Sequence, residues 1–203
     1  MSAACHVIVF AKAPRAGYAK TRLIPALGAE GAASLARRLL EHAVAQARAA
    51  ELGSVELCCA PDATDRDLAA FAESGAVSLS DQGEGDLGQR MARALNRTLH
   101  QHAHVLLIGT DAPGLDTSMI RSAAAALETD DAVFVPALDG GYALVGLRRP
   151  APWLFDAIPW STPAVMALSR ERLVQAGWRH AELAPLADID EPADLVHLPA
   201  GWL

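Results

Sequence analysis

Four short segments of this 203-residue sequence hold the residue types that chemistry needs. The first runs from Ala11 to Leu23 and carries Lys12, Arg15, Lys20 and Arg22, with Pro14, Gly17 and Thr21 among them. Phosphate binding calls for positive charge, free backbone N–H groups and a glycine that permits close approach, and this segment offers all three. It is not a P-loop, because Gly17 lies three residues before Lys20 and no glycine directly precedes the lysine. A solvated surface loop is the plainer alternative. The second segment, Ser80 to Gly88, spells G-x-G-x-x-G through Gly83, Gly85 and Gly88. Asp81, Glu84 and Asp86 would surround a pyrophosphate with negative charge, so Gln82, Gly83 and Gly88 suit the base or sugar of a mononucleotide better than a dinucleotide. The third is an apolar run, Val105 to Ile108, that delivers Asp111 just beyond its end. A carboxylate there can hold Mg²⁺ or Mn²⁺, hard ions that take one or two protein carboxylates and complete their shell with water and phosphate; it could also cap a turn. In the fourth, extended backbone would put Asp188 and Asp190 on one side, where they repel unless a cation joins them. A solvated acidic turn has the same spacing.

Two lesser signals accompany these. Asp139, Gly140, Gly141 and Tyr142 resemble a hairpin turn between two strands. His100, His102 and His104 suit neither one helix face nor a usual zinc pair, and they read as surface residues.

The charge balance narrows the ligands. Seventeen basic and 24 acidic residues leave −7, which argues against a general nucleic-acid binder. The basic residues cluster early, and the only two lysines, Lys12 and Lys20, share the first segment. A basic loop in an acidic protein suggests a local anionic ligand such as phosphate. No run approaches the length of a membrane span, and no basic stretch precedes the apolar Val7 to Ala11, so neither a membrane nor a nucleic-acid partner is expected. Cys5 and the adjacent Cys58 and Cys59 form neither a disulfide framework nor a zinc spacing, which fits small core residues in a cytoplasmic, reducing setting.

Short apolar runs alternate with long alanine-rich segments, the pattern of an α/β chain with a mixed or parallel sheet under helices. The strands are expected at Val7 to Phe10, Val55 to Cys59, Val77 to Leu79, Val105 to Ile108, Ala132 to Val135 and Tyr142 to Leu147. The helices are expected near 29–50, 64–74, 86–102, 117–128 and 163–176, with Thr64 and Asp116 as caps. No repeat or linker divides residues 1–203, so a single domain is expected; Pro150 to Pro163 is an excursion too short to separate two. The four chemical segments then follow strand ends, where open α/β sheets bind ligands.

With those residues in view, the chain resembles a small bacterial transferase family of the GT-A, nucleotide-diphospho-sugar transferase fold, associated with radical-SAM gene clusters and with arsenosugar-biosynthesis glycosyltransferases. Five ordered motifs carry the likeness: P-x-x-G-x-x-K-T-R-L (Pro14 to Leu23), Q-G-x-G-D-L-G-x-R-M (Gln82 to Met91), G-T-D-A-P (Gly109 to Pro113), D-G-G-Y-x-L-x-G-L (Asp139 to Leu147) and D-I-D-E-P-x-D-L (Asp188 to Leu195). A more distant similarity joins it to 2-phospho-lactate and phosphoenolpyruvate guanylyltransferases. The resemblance implies a mixed, mostly parallel sheet with helices on both faces and a first loop that cradles nucleotide phosphates. It also implies that Asp111 stands for a D-x-D metal motif, with Asp188 and Asp190 as further ligands. Ala112 and Pro113 follow Asp111, so only one carboxylate of a D-x-D is present.

The expected function is a Mg²⁺- or Mn²⁺-dependent transferase, foremost a glycosyltransferase with a nucleotide-sugar donor and a small-molecule acceptor. Lys20, Arg22 and Asp111 carry its chemistry. Pro14, Gly17, Lys20, Thr21 and Arg22 hold phosphate, Asp139 to Tyr142 hold sugar or acceptor, and Asp111, Asp188 and Asp190 hold the metal. The alternatives are a nucleotidyltransferase that consumes a nucleoside triphosphate and releases pyrophosphate, and a nucleotide-binding protein without turnover.

Overall fold

The computed structural model describes residues 4–73, 75 and 77–202. Among them seven strands form one mixed sheet: β1 (Cys5–Lys12), β2 (Val55–Ala60), β3 (Ser78–Asp81), β4 (His104–Ile108), β5 (Ala132–Pro136), β6 (Tyr142–Leu147) and β7 (His180–Glu182). Their order is β3-β2-β1-β4-β6-β5-β7, and β6 alone runs against its neighbours. The central strands are buried on both faces, and successive side chains enter opposite layers as the pleat requires. Val7, Val9, Leu57, Leu106 and Val133 enter one layer with Leu40 and Ala43 of α1 (Ile24–Ala49) and Ile120 of α4 (Thr117–Ala126). Ile8, Cys58, Leu107, Phe134 and Val145 enter the other, with Met91 and Leu95 of α3 (Leu87–Leu99) and Met166 and Leu173 of α5 (Val165–Gln175). Helices therefore cover both faces. Among the described residues no helix is long and apolar enough to cross a membrane. The three cysteines are free and buried.

The expected elements recur with local differences. Gly28, at φ 71 and ψ 167, interrupts α1, so the long helix begins just after it; glycine reaches that backbone region without steric cost. The segment expected as helix 64–74 forms only α2 (Arg66–Ala69) and a 3-10 turn at Ala70–Ala72, and Ser74 lies outside the described residues. Its cap is Asp65, whose carboxylate accepts from the N–H groups of Asp67 and Leu68, while Thr64 bonds to Asp62 instead. Asp116 caps α4 as expected. The histidine triplet is not all surface. His104 is the buried first residue of β4, and the His102 ring lies 4.6 Å from that of His6. β7 was not expected, since His180, Ala181 and Glu182 show no apolar alternation.

At the end of the sheet opposite the strands' shared carboxyl edge, a buried carboxylate organises a polar cluster under α3. Glu56 accepts from Ser80 and from both terminal nitrogens of Arg97, at 2.5 and 3.3 Å, and lies 3.4 Å from His6 Nε2. Burial alone would raise its pKa; hydrogen bonds from His6, Arg97 and Ser80 outweigh this and hold it at about 2. A second close fit fixes the mouth of α3. A Cβ on Gly88 would fall against the indole of Trp160 and 2.6 Å from the Phe155 carbonyl oxygen.

Each contact yields a test. Because the folded-state pKa of Glu56 lies below its unfolded one, its contribution is complete above about pH 4.5 and disappears as pH falls toward 2, amounting to up to about 3 kcal/mol. Urea titrations of wild type and Glu56→Gln should therefore differ most at pH 7, and the gap should narrow steadily below about pH 4.5 and close only as pH falls through about 2; a gap that stays constant with pH would refute the charged network. Gly88→Ala should cost about 1 to 3 kcal/mol through overpacking and weaken the near-UV dichroism of Trp160. An unchanged melting temperature and spectrum would show that the helix mouth yields freely.

Candidate functional site

The parallel strands β1 to β4 end at one edge of the sheet, and the β5–β6 turn and the chain after β7 arrive at the same edge. The connections run outward from β1 through β2 to β3, then cross to β4 on the other side, so the order reverses between β1 and β4. Ligand crevices of open α/β sheets lie at such reversals. Here a cleft of about 430 Å³ opens, lined by Lys12, Tyr18, Lys20, Thr21 and Arg22 after β1, by Gln82, Leu87 and Arg90 around the start of α3, by Thr110 and Asp111 after β4, and by Asp190.

Its floor is one ammonium group. Lys20 takes a left-handed backbone at φ 49 and turns its side chain inward until only 7% remains exposed. There Nζ lies 2.6 Å from Asp111 Oδ1 and 2.8 Å from Asp190 Oδ1. Burial disfavours the charge, but the two carboxylates overcome it and raise the lysine pKa. The backbone repeats the junction, as Ile189 N donates to Asp111 O at 2.9 Å. Ile189 itself is fully buried with Leu23, Leu35 and Leu39, so the extended chain presents Asp188 and Asp190 on the opposite side, toward the cavities. That is the alternation read from the sequence.

The other loop cations divide their work. Arg15 turns away to the buried carboxylate of Asp65 and does not line the cleft. Lys12 lies over the Tyr18 ring, 4.3 Å from its centroid, and Arg22 is 63% exposed beside Glu191. Pro14 and Gly17 shape the loop without facing the cleft, and of the Gly-rich segment only Gln82 and Leu87 reach it. Gln82 donates to the carbonyls of Ala11 and Cys58 at the ends of two strands. The acids of that segment are partly spent on structure. Asp86 forms a capping box with Gln89, and Asp81 accepts from Ala63 N at 2.6 Å. Gly83 and Gly88 face Arg93 and Trp160 rather than the cleft.

A second cavity of about 210 Å³ adjoins the first and shares Leu87, Asp111 and Asp190 with it. Asp139, Gly141 and Tyr142 line it, together with Asp188, Met91, Trp160 and Val165. Asp139 Oδ1 accepts from Gly141 N at 2.8 Å and closes the expected hairpin turn. Burial, followed by the charge of Asp139 and those of Asp190 and Asp194, pushes Asp188 up to about 6. Arg90 and Trp160 received no role from the sequence. The former stood in the Gln82 to Met91 motif without a partner to define it, and the latter in a proline-rich stretch without periodicity.

The metal site expected from Asp111, Asp188 and Asp190 is not assembled as a cage: among the described residues no three His, Cys, Asp or Glu side chains converge on one point. Lys20 stands between two of the three. The donor set nonetheless fits a hard divalent ion, because such an ion needs only one or two carboxylates when water and phosphate supply the rest.

The comparisons with known proteins agree on the architecture. A protein of Desulfovibrio desulfuricans whose name, nucleotide-diphospho-sugar transferase, is provisional superposes with a TM-score of 0.86 at 29% identity, over 96% of this chain and 85% of its own. A nucleotidyl transferase from Methanothermobacter thermautotrophicus follows at 0.69 and 14% identity, over 98% and 97% of the two chains. CMP:2-keto-3-deoxy-manno-octonic acid synthetase in complex with CTP gives 0.57 and 12%, over 95% of each. The last two likenesses speak for the fold alone. No curated protein matches the sequence. A family profile matches residues 40–162, which include Gln82, Asp111 and Asp139, and the chain belongs to that family, the uncharacterized proteins conserved in bacteria designated DUF2064.

Proposed function

We propose that this protein is a divalent-metal-dependent transferase acting on an activated nucleotide, with a nucleotide sugar as donor and a small molecule as acceptor. The observation that carries this reading is the buried Lys20 ammonium bridging Asp111 and Asp190 at the strand-order reversal, under a rim of Lys12, Arg22 and Arg90. Two of the three N–H bonds of Lys20 are spent on carboxylates, and the third is available to a phosphate oxygen. Arg22 offers a planar fork to a second phosphate. Asp111 and Asp190, with Asp188 beside them, would hold Mg²⁺ or Mn²⁺, which when bound neutralises charge on the departing diphosphate. The side chains position the donor and steady the charge that develops on its leaving group. Asp139, Gly141 and Tyr142 line the neighbouring space for sugar or acceptor, while Gly140 packs against Pro163. The motif likeness to arsenosugar-biosynthesis glycosyltransferases supports sugar as the transferred group. A nucleotidyltransferase reading is favoured by the nucleotidyl transferase and CTP-bound synthetase of the same fold. The released product separates the two readings: a nucleoside diphosphate for glycosyl transfer, pyrophosphate for nucleotidyl transfer.

Two measurements examine the site. Calorimetry with nucleoside diphosphates and Mn²⁺ should show Lys20→Ala and Arg22→Ala binding roughly ten- to a hundredfold more weakly, the worth of one charged hydrogen bond. Unchanged affinity in both would end the phosphate assignment. In thermal-shift assays Asp111→Asn and Asp190→Asn should each remove the metal-dependent part of the stabilisation by nucleotide, with the double variant little worse than either. Additive losses would mean that the two carboxylates serve separate ions or none.

A further inference from the structure

The ion pair at the floor of the first cleft is lopsided. One ammonium meets two carboxylates, and it meets them from beneath: 7% of the Lys20 side chain is exposed, against 48% for Asp111 and 41% for Asp190. The lysine is fixed by its backbone rather than by chance packing of a long side chain. Its left-handed conformation (φ 49, ψ 41) opens a 3-10 turn at Thr21–Leu23, Leu23 N donates to its carbonyl at 2.9 Å, and Ala19 and Leu23 on either side are buried. Such a conformation is unfavourable for a residue with a Cβ and persists where the surroundings determine it. The carboxylates themselves are lightly held. Thr110 Oγ1 donates to Asp111 Oδ1 at 3.1 Å, and the Asp190 side chain accepts from Lys20 alone among the described residues.

This arrangement bears on the divalent ion that Asp111 and Asp190 are proposed to hold, and the inference rests on that reading. An ion bonded at about 2.0 to 2.6 Å to either Oδ1 atom would lie within roughly 5 Å of the ammonium. Like charges repel over that range. Lys20 also answers one of the two negative charges that would attract the ion. A phosphate changes both terms: its oxygen accepts the remaining N–H of Lys20, and its negative charge is shared by the two cations. We infer that Lys20 is a resident counter-ion that makes divalent-ion binding at Asp111 and Asp190 conditional on a diphosphate, resisting the ion alone and admitting it together with phosphate. The site thereby stays free of a bare metal ion between nucleotides. Such a coupling is reciprocal, so the ion strengthens diphosphate binding by the same factor. A lysine with a merely structural role would act with the opposite sign, because its removal would loosen both carboxylates and weaken every ligand.

The test is the sign of the change in Mn²⁺ affinity when the ammonium is removed. Free Mn²⁺ is followed by its electron paramagnetic resonance signal over the full chain as wild type, Lys20→Met and Lys20→Gln, without nucleotide and again with UDP or GDP. Repulsion between a single and a double charge at that separation is worth on the order of tenfold even at the dielectric of water. Without nucleotide, both variants should therefore bind Mn²⁺ roughly tenfold or more tightly than wild type, and adding Asp190→Asn to Lys20→Met should abolish the gain. The factor by which diphosphate tightens Mn²⁺ binding should shrink by a similar amount in the variants; chelation by free diphosphate is common to all the proteins and cancels in that comparison. Should neither variant fold, wild type decides. Lys12 and Lys20 are its only lysines, so in ¹⁵N-lysine-labelled protein the Lys20 ammonium is one of two resonances. Mg²⁺ alone should leave it in place, and Mg²⁺ with UDP or GDP should shift it. Mn²⁺ affinity that is unchanged or lower in the variants, or a resonance that Mg²⁺ alone displaces, would overturn the inference while metal-dependent diphosphate binding keeps the reading of the cleft. Tighter Mn²⁺ binding by the variants with no response to either diphosphate would overturn it too. No Mn²⁺ binding by any of the proteins, with or without diphosphate, would end both.

Discussion

A cation drawn out of water between two carboxylates is the constraint on which the rest of this site depends. The Lys20 side chain is nearly buried, and a buried ammonium is costly unless paired and hydrogen-bonded. Its partners come from the loop after β4 and from a segment 170 residues further along the chain than the lysine. One group thereby ties together three stretches of chain that share no local sequence. The backbone bond from Ile189 to Asp111 and the burial of Ile189 in its own apolar cluster hold the far segment in register, so the ion pair does not bear the load alone. Removing either carboxylate would leave the lysine charge under-compensated, which is why the three residues behave as one structural unit.

The sheet makes this arrangement possible at small cost. Alanines on α1 lie against the strands, and their small side chains let the helix approach closely. Reversing only β6 brings the β5–β6 turn to the edge where the parallel strands end, so a tight hairpin and three crossover loops meet around one crevice. The hairpin gives the second cavity a stiff side, and the proline-rich excursion supplies the other.

Much of this was legible in the amino-acid order. Runs such as Val105 to Ile108 and Ala132 to Val135 are apolar and rich in branched residues because both their faces are buried, and that leaves a clear trace. Asp188 and Asp190 could be placed on one side because alternation is a local rule, and Ile189 between them obeys it. Other features left no such trace. β7 is three residues at the sheet's edge with no face to alternate. Arg15 and Lys20 sit five positions apart in one basic loop, yet one turns to Asp65 and the other to Asp111 and Asp190, a choice made by partners distant in sequence. The same holds for Trp160, whose place is set by the missing Cβ of Gly88. For Glu56 the sequence showed only an acid in an apolar strand, and its cluster required β1, β3 and α3 to be assembled first.

The position of Asp190 along the chain has a consequence for assembly. All seven strands precede it, so a chain emerging from the ribosome can lay down the whole sheet and both helical layers before the last carboxylate exists to meet Lys20. Until then the lysine has Asp111 alone. The crevice therefore closes only after every strand of the sheet has been made, and ligand capture waits for a segment that itself belongs to no strand.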